Sequence, residues 1–402
     1  MTSPYVAPPA IWRRTRAAPS EFFSDEDLDR ARRYQRPLRF ARAVRALMSL
    51  TILVAIVLGG ATGALVDALS AEGWVVQLAV VFLMIELLML AVDVPVDIWV
   101  DFVHDRRWGL STQSRATFVG DQAKSLVLST VVGLVVLVPI YALIRATPWW
   151  WLIGWGLVTA LGVILGFLFP VVVAPIFNRF QPLDDPPLAM RLREVADAAG
   201  VSIAGVLVAD QSRRSRRDNA YVSGLGATRR IVLFDTILEH PPELIEQVVA
   251  HELGHWTRHH LRQQIPVLAA TTLVAFLLLW ALASWDRLWS WLGFDGIADP
   301  AALPVLLVAV QVVSLGTGLV TAYVSRAHER EADLDALEVL RQPEAMSRML
   351  RRLHIKNISD LEPGPVQRLG LSHPTAAERL AFVRQWSSAA AARSTRDPFT
   401  SM

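Results

Sequence analysis

Long apolar runs separated by polar stretches dominate the 402-residue chain. Runs near residues 47–66, 75–96, 125–144, 149–173, 265–285 and 303–323 each approach or exceed the roughly 20 residues an α-helix needs to cross a bilayer. They predict six membrane-spanning helices, four before a long polar insert and two after it. Within the insert the pattern changes. Residues 192–199 read as a helix, and 206–209 and 230–234 as short strands bounded by polar residues. The segment Asn219-Ala220-Tyr221-Val222-Ser223-Gly224 reads as an edge strand, able to hold an extended peptide by main-chain pairing, or as part of an ordinary hairpin. Next comes a helical stripe, Leu244, Ile245, Val248, Val249 and Leu253. Pro241 and Pro242 suit its first turn, and Glu243 and Glu246 suit its positive end. The expected fold is an all-α multi-pass membrane protein with a small α+β domain.

Composition agrees: 53% of residues are hydrophobic and 19% charged, which excludes an ordinary soluble globule. The first forty residues hold no apolar stretch long enough for a cleavable signal peptide. The net charge of +2 conceals an asymmetry by loop. The stretch from Arg13 to Arg45 carries ten arginines, and Arg106, Arg107, Arg115 and Lys124 follow the second span. Loop 67–74 has no basic residue, and 286–302 has only Arg287. Both termini and the insert are therefore expected on the cytoplasmic side of a cell membrane. Arginines placed this way serve orientation, and no nucleic-acid partner is expected. The 37 arginines against two lysines suggest a GC-rich coding sequence and a bacterial source. With no cysteine, the chain has no disulfide, thiolate ligand or cysteine nucleophile, and cannot itself be prenylated or palmitoylated.

The chemistry concentrates in His251-Glu252-Leu253-Gly254-His255. Residues four apart share a helix face, so His251 and His255 can offer ring nitrogens to one zinc ion. Glu252 lies on the side where activated water would sit, as a general base. Gly254 stands inside the motif, where its small size is expected to matter. A third ligand is needed, and residues 325–333 supply candidates. Of Glu329 and Asp333, four apart, one can bind metal while the other holds a ligand histidine's second nitrogen. Glu331 is the rival ligand. Two spans separate the motif from this segment, and two crossings return the chain to the same side. A structural zinc would want a fourth protein ligand, and none is apparent. An intramembrane protease would bury its motif in an apolar span, which Thr257, Arg258, His259, His260 and Arg262 contradict. His259 and His260 read as interfacial bystanders, and Trp149, Trp150 and Trp151 as an interfacial anchor. Glu86 interrupts the second span, with Asp93, Asp97 and Asp101 following at four-residue spacing. These acids either face a water-filled cavity leading to the zinc or pair locally with arginines.

Together these pieces resemble the integral-membrane CAAX prenyl endoproteases. The matching stretches are Asn219-Ala220-Tyr221, residues 230–236, His251 to Trp256, Ser325-Arg326 with Glu329 and Ala332-Asp333, and Ser372-His373-Pro374 with Glu378-Arg379-Leu380. The loop 102–109 and residues 23–34 match as well. The resemblance spans about residues 20–385. It implies one Zn2+ per chain held by His251, His255 and Glu329, with Glu252 activating water and Asp333 orienting a ligand. His373 and Arg379 are placed near the scissile carbonyl, and Asn219 on the substrate strand. Two departures stand out. The family's seven spans enclose a chamber, whereas six are marked here, with an arginine-rich arm where the first would stand. Asp218 also replaces a serine. The implied organisation is an arm (1–45), four spans (46–177), a protease core (178–264), a transmembrane hairpin (265–325), the rest of the protease domain (326–386) and a disordered tail (387–402). The expected partners are the bilayer and a peptide or protein substrate, lipidated or not. Broad quality-control proteolysis is the alternative reading, and a non-enzymatic zinc protein a weaker one.

Overall fold

The structure, a computed structural model, describes residues 17–224 and 226–394. Six helices among the described residues are long and apolar enough to cross a membrane: Asp25–Leu58, Trp74–Arg107, Arg115–Ala146, Trp150–Phe177, His260–Ala283 and Pro300–Leu340. Only 6–28% of their most apolar windows is buried inside the protein, so most of the leucine and valine surface faces outward, as lipid contact requires.

The first helix differs from expectation at both ends. It starts at Asp25, capped by Ser24, and ends at Leu58, not near residue 66. Gly60, in the left-handed region, breaks the chain and starts a separate short helix, Ala61–Ala68. The arginines from Arg30 to Arg45 thus lie on the lower part of the first helix. Phe23, Leu28 and Ala31 lie in the core of the polar domain. Arg13, Arg14 and Arg16 lie outside the described residues.

The polar domain carries one four-stranded sheet, ordered β1 (Phe180–Pro182), β2 (Gly205–Ala209), β4 (Arg230–Phe234), β3 (Ala220–Ser223). β2 and β4 are parallel, and the outer pairings are antiparallel. Ile231, Val232 and Leu233 are buried in the inner strand β4, where both faces are covered. β1, with Pro182 at an edge, was not expected from sequence, because three residues carry little periodicity. β3 forms the other edge, as expected, and packs beside the motif helix (Pro242–Thr257).

One buried cluster unites the insert with the C-terminal segment: Leu192, Leu233, Ile245, Leu253, Leu337, Met346 and Leu380 belong to it. A separate cluster, including Leu78, Val81, Ile140, Trp150 and Phe276, lies among the spans. Trp150 is buried there while Trp149 is exposed, so the expected tryptophan anchor is only partly at the surface. The last helix, Ala376–Ser394, runs through the first part of the segment expected to be a disordered tail. Residues 395–402 lie outside the described residues.

Glu86, Asp93 and Asp97 have specific partners. Glu86 accepts a hydrogen bond from Thr130 of the third span. Arg45 pairs with Asp97 and lies 3.4 Å from Asp93. Gln122 donates to Asp97 at 3.1 Å. Asp93 and Asp97 thus follow the local-pairing alternative.

Candidate metal centre

Two helices that cross closely build the site. The motif helix presents His251, Glu252 and His255, and the long helix (Leu303–Leu340) presents Glu329 and Asp333. Gly254 permits the crossing, because a Cβ there would lie 2.9 Å from Ala332 Cα. Arg258 locks the pair by donating to both carboxylate oxygens of Asp335, at 2.8 and 2.6 Å.

One ligand atom each from His251, His255 and Glu329 falls within 4.8 Å of the others, close enough to hold a metal ion. His251 Nε2 lies 3.3 Å from Glu329 Oε2, and His255 Nε2 lies 3.5 Å from Glu329 Oε1. Glu329 Oε2 is buried and has no hydrogen-bond partner among the described residues. On its other side the His251 ring donates its Nδ1 proton to Asp333 Oδ1 at 2.9 Å. In the neutral ring that leaves the lone pair on Nε2, which then faces a carboxylate oxygen. Two acceptors aimed at each other fit a cation between them, so the residues suit a metal. The structure also separates Glu329 from its rivals: Asp333 sits behind His251, and Glu331 hydrogen-bonds His260 at 3.0 Å.

Arg379, which the resemblance places near the scissile carbonyl, lies behind the His251 ring, with Nη2 3.4 Å from its Nδ1. Its guanidinium is buried and donates to Asp333 through Nε at 2.8 Å and Nη2 at 2.5 Å. Both contacts go to the acid that holds His251. His373 is exposed, with Nε2 3.2 Å from Glu329 Oε1, at the open side of the site. Asn219 is exposed at the start of the edge strand β3.

Burial pushes the Glu252 carboxyl up to about 7; His251 opposes this and Glu329 adds to it. Such a group sits near the proton affinity a general base uses at neutral pH.

Sequence reasoning missed several neighbours. His260, expected to be a bystander, is buried and contacts His255 Nδ1 through its own Nδ1 at 2.8 Å. His259 adopts left-handed backbone (φ 56°), ending the motif helix and turning the next residue back toward it. Spacing along an unbroken helix would have sent His260 elsewhere. His354 lies near Arg379 and His373; burial first, then these two neighbours, pushes its ring down to about 3. Both its ring nitrogens are covered and lack partners among the described residues.

Asp218, the departure from the serine pattern, is fully buried. It lies 2.6 Å from His240 Nε2 and accepts from Lys356 Nζ at 2.7 Å. Asn357 brackets its backbone, accepting from the Asp218 N–H at 2.9 Å and donating to its carbonyl at 3.1 Å. Beside it, Arg217 donates to Tyr34 and, at 2.9 Å, to Asp105, tying the strand's entrance to the first two spans. The start of β3 is thereby pinned from two directions.

Residues 11–179 match the CAAX prenyl protease N-terminal family, described as five membrane helices, and residues 182–387 match peptidase family M48. Among curated relatives, CAAX prenyl protease 1 of Saccharomyces cerevisiae is 30% identical over 311 residues, covering 72% of this chain and 68% of the yeast protein. An uncharacterized metalloprotease of Bacillus subtilis, YhfN, is 27% identical over 386 residues, covering 92% of this chain and 89% of its own. The crystal structure of S. mikatae Ste24p shares the fold, with a TM-score of 0.80, 24% identity and 92% of each chain covered. The chain belongs to peptidase family M48 and is a membrane-spanning metalloprotease.

Proposed function

We propose that the chain is a zinc endopeptidase of the CAAX prenyl protease type, cutting near the C-terminus of lipidated peptides from the cytoplasmic side of a bacterial membrane. The observation that carries the metal chemistry is Glu329 Oε2, buried without a hydrogen-bond partner and facing His251 Nε2. His251, His255 and Glu329 would hold one zinc ion. When bound, zinc supplies Lewis-acid chemistry, lowering the pKa of water and polarising a carbonyl.

The chain's own residues do the rest. Glu252 takes a proton from the attacking water as oxygen adds to the scissile carbonyl carbon, and returns it to the amine nitrogen as the C–N bond breaks. Exposed His373 donates a hydrogen bond toward the oxyanion. Asp333 keeps the His251 Nε2 lone pair forward, and Arg379 holds Asp333. The free edge of β3, with Asn219 at its start, pairs with the extended substrate. The cytoplasmic assignment rests on the loop asymmetry of arginine. The lipidated substrate class rests on the names of the relatives.

The test is cleavage, by detergent-purified protein, of two matched peptides, one isoprenylated on a cysteine near its C-terminus and one unmodified, with Glu252→Gln as control. Preferential, Glu252-dependent cutting of the prenylated peptide is expected. Equal cutting of both overturns the lipid preference and leaves a broad membrane protease.

A further inference from the structure

We propose that His260 and Glu331 form a relay that holds His255 with its Nε2 lone pair toward the metal; it rests on His255 being a ligand. Three contacts in series define it. His260 Nε2 lies 3.0 Å from Glu331 Oε2, His260 Nδ1 lies 2.8 Å from His255 Nδ1, and His255 Nε2 faces Glu329. A carboxylate only accepts, so the His260 Nε2 nitrogen carries the proton and donates to Glu331. In the neutral ring, Nδ1 then has the lone pair. It accepts the Nδ1 proton of His255, and that leaves the His255 lone pair on Nε2. Reversing the middle bond in neutral rings would leave His260 Nε2 as an acceptor facing a carboxylate.

The two ligand histidines are thus served differently. His251 meets Asp333 directly, whereas His255 reaches Glu331 only through a second imidazole. His255 is also the more open of the two, so its orientation depends more on a partner. His328 fixes the relay ring's plane, stacking on it at 4.1 Å and 9°, while its own Nε2 donates to Gln263 Oε1 at 3.2 Å. His260 and Glu331 are positioning residues.

The test measures the zinc dissociation constant of the full-length, detergent-purified chain by competition with a chromogenic chelator. Melting of the stripped protein serves as a check on folding. His260→Ala and Glu331→Ala should each weaken zinc binding by about 10–100-fold, the usual effect of losing such a partner. Glu331→Ala should add nothing in a His260→Ala background, because it acts only through that ring. His260→Asn places an acceptor oxygen near the lost Nδ1 and should restore much of the affinity, whereas His260→Gln should not. Unchanged zinc binding in both alanine variants, or fully additive losses, overturns the relay. If His260→Ala does not fold, Glu331→Ala and His260→Asn against His260→Gln decide. His255→Ala separates the two levels. If it abolishes zinc binding while the relay variants are silent, only the relay fails; if it leaves zinc bound, the metal assignment fails and takes the relay with it.

Discussion

A carboxyl group pushed up to about 7 by burial changes protonation state within the range where an enzyme works, and Glu252 is such a group. Only its carboxylate can accept a proton, so activity should be present above its pKa and lost as pH falls through it. A cation in the site would pull that pKa down, so the acidic limb of kcat/KM is expected at or below about pH 7. A pH–rate profile that declines only on the alkaline side would count against Glu252 as the base. Glu252→Gln should retain zinc and lose about 10²–10⁴-fold in turnover, measured by metal analysis beside peptide cleavage. Arg379 makes a different residue-level prediction. Removing it leaves the buried Asp333 with only the His251 ring and no full counter-charge, a break that typically costs about 3–5 kcal/mol. Arg379→Ala should therefore melt far below the wild type in detergent, and Arg379→Lys, which keeps charge without the two-pronged contact, should fall between them. Full stability in the alanine variant would show that Asp333 finds another partner.

Between elements, the decisive contact is the crossing of the motif helix with the long helix. It is close because Gly254 meets the Ala332 backbone, and Arg258 with Asp335 fixes its angle. A methyl group at 254 would press on backbone and not on a flexible side chain, so the helices must part. Gly254→Ala should cost about 1–3 kcal/mol and weaken zinc binding, since Glu329 reaches the histidines only across this crossing. Thermal melting and chelator competition would measure both; stability lost with zinc affinity intact would mean the helices adjust elsewhere. The same crossing explains which parts of the site were legible. The four-residue spacing of His251 and His255 is local and was plain, and Glu329 could be shortlisted with Asp333 and Glu331. Only the tertiary structure favours Glu329 among them, because Asp333 lies behind His251 and Glu331 against His260.

At the scale of the whole molecule, the polar domain is assembled from three separated stretches of chain. The start of the first helix, the insert after the fourth span and the segment after the sixth share one buried cluster. The site therefore lies on the same side of the spans as the arginine-rich start of the first helix. The absence of cysteine makes the orientation simple to test. A Ser70→Cys variant, in the loop poor in basic residues, should react with a membrane-impermeant maleimide on intact cells. A Ser202→Cys variant, in the polar domain, should react only after permeabilisation. The opposite pattern would place the site outside.

The sequence by itself determined what depends on local periodicity and spacing: six apolar spans, the motif helix, the strands β2, β3 and β4, and the histidine pair. Length and hydropathy suffice for the spans because the bilayer demands both, and helical geometry suffices for the pair. Tertiary structure decided what depends on distant residues meeting. It made residues 25–45 of the arginine-rich arm the start of a helix that feeds the core, because the buried faces of Leu28 and Ala31 show only once their partners are in place. It paired Arg379 with Asp333, because a buried acid captures the nearest strong donor. It brought His260 onto His255, because one left-handed residue at His259 redirects the chain, and no periodic pattern encodes that turn.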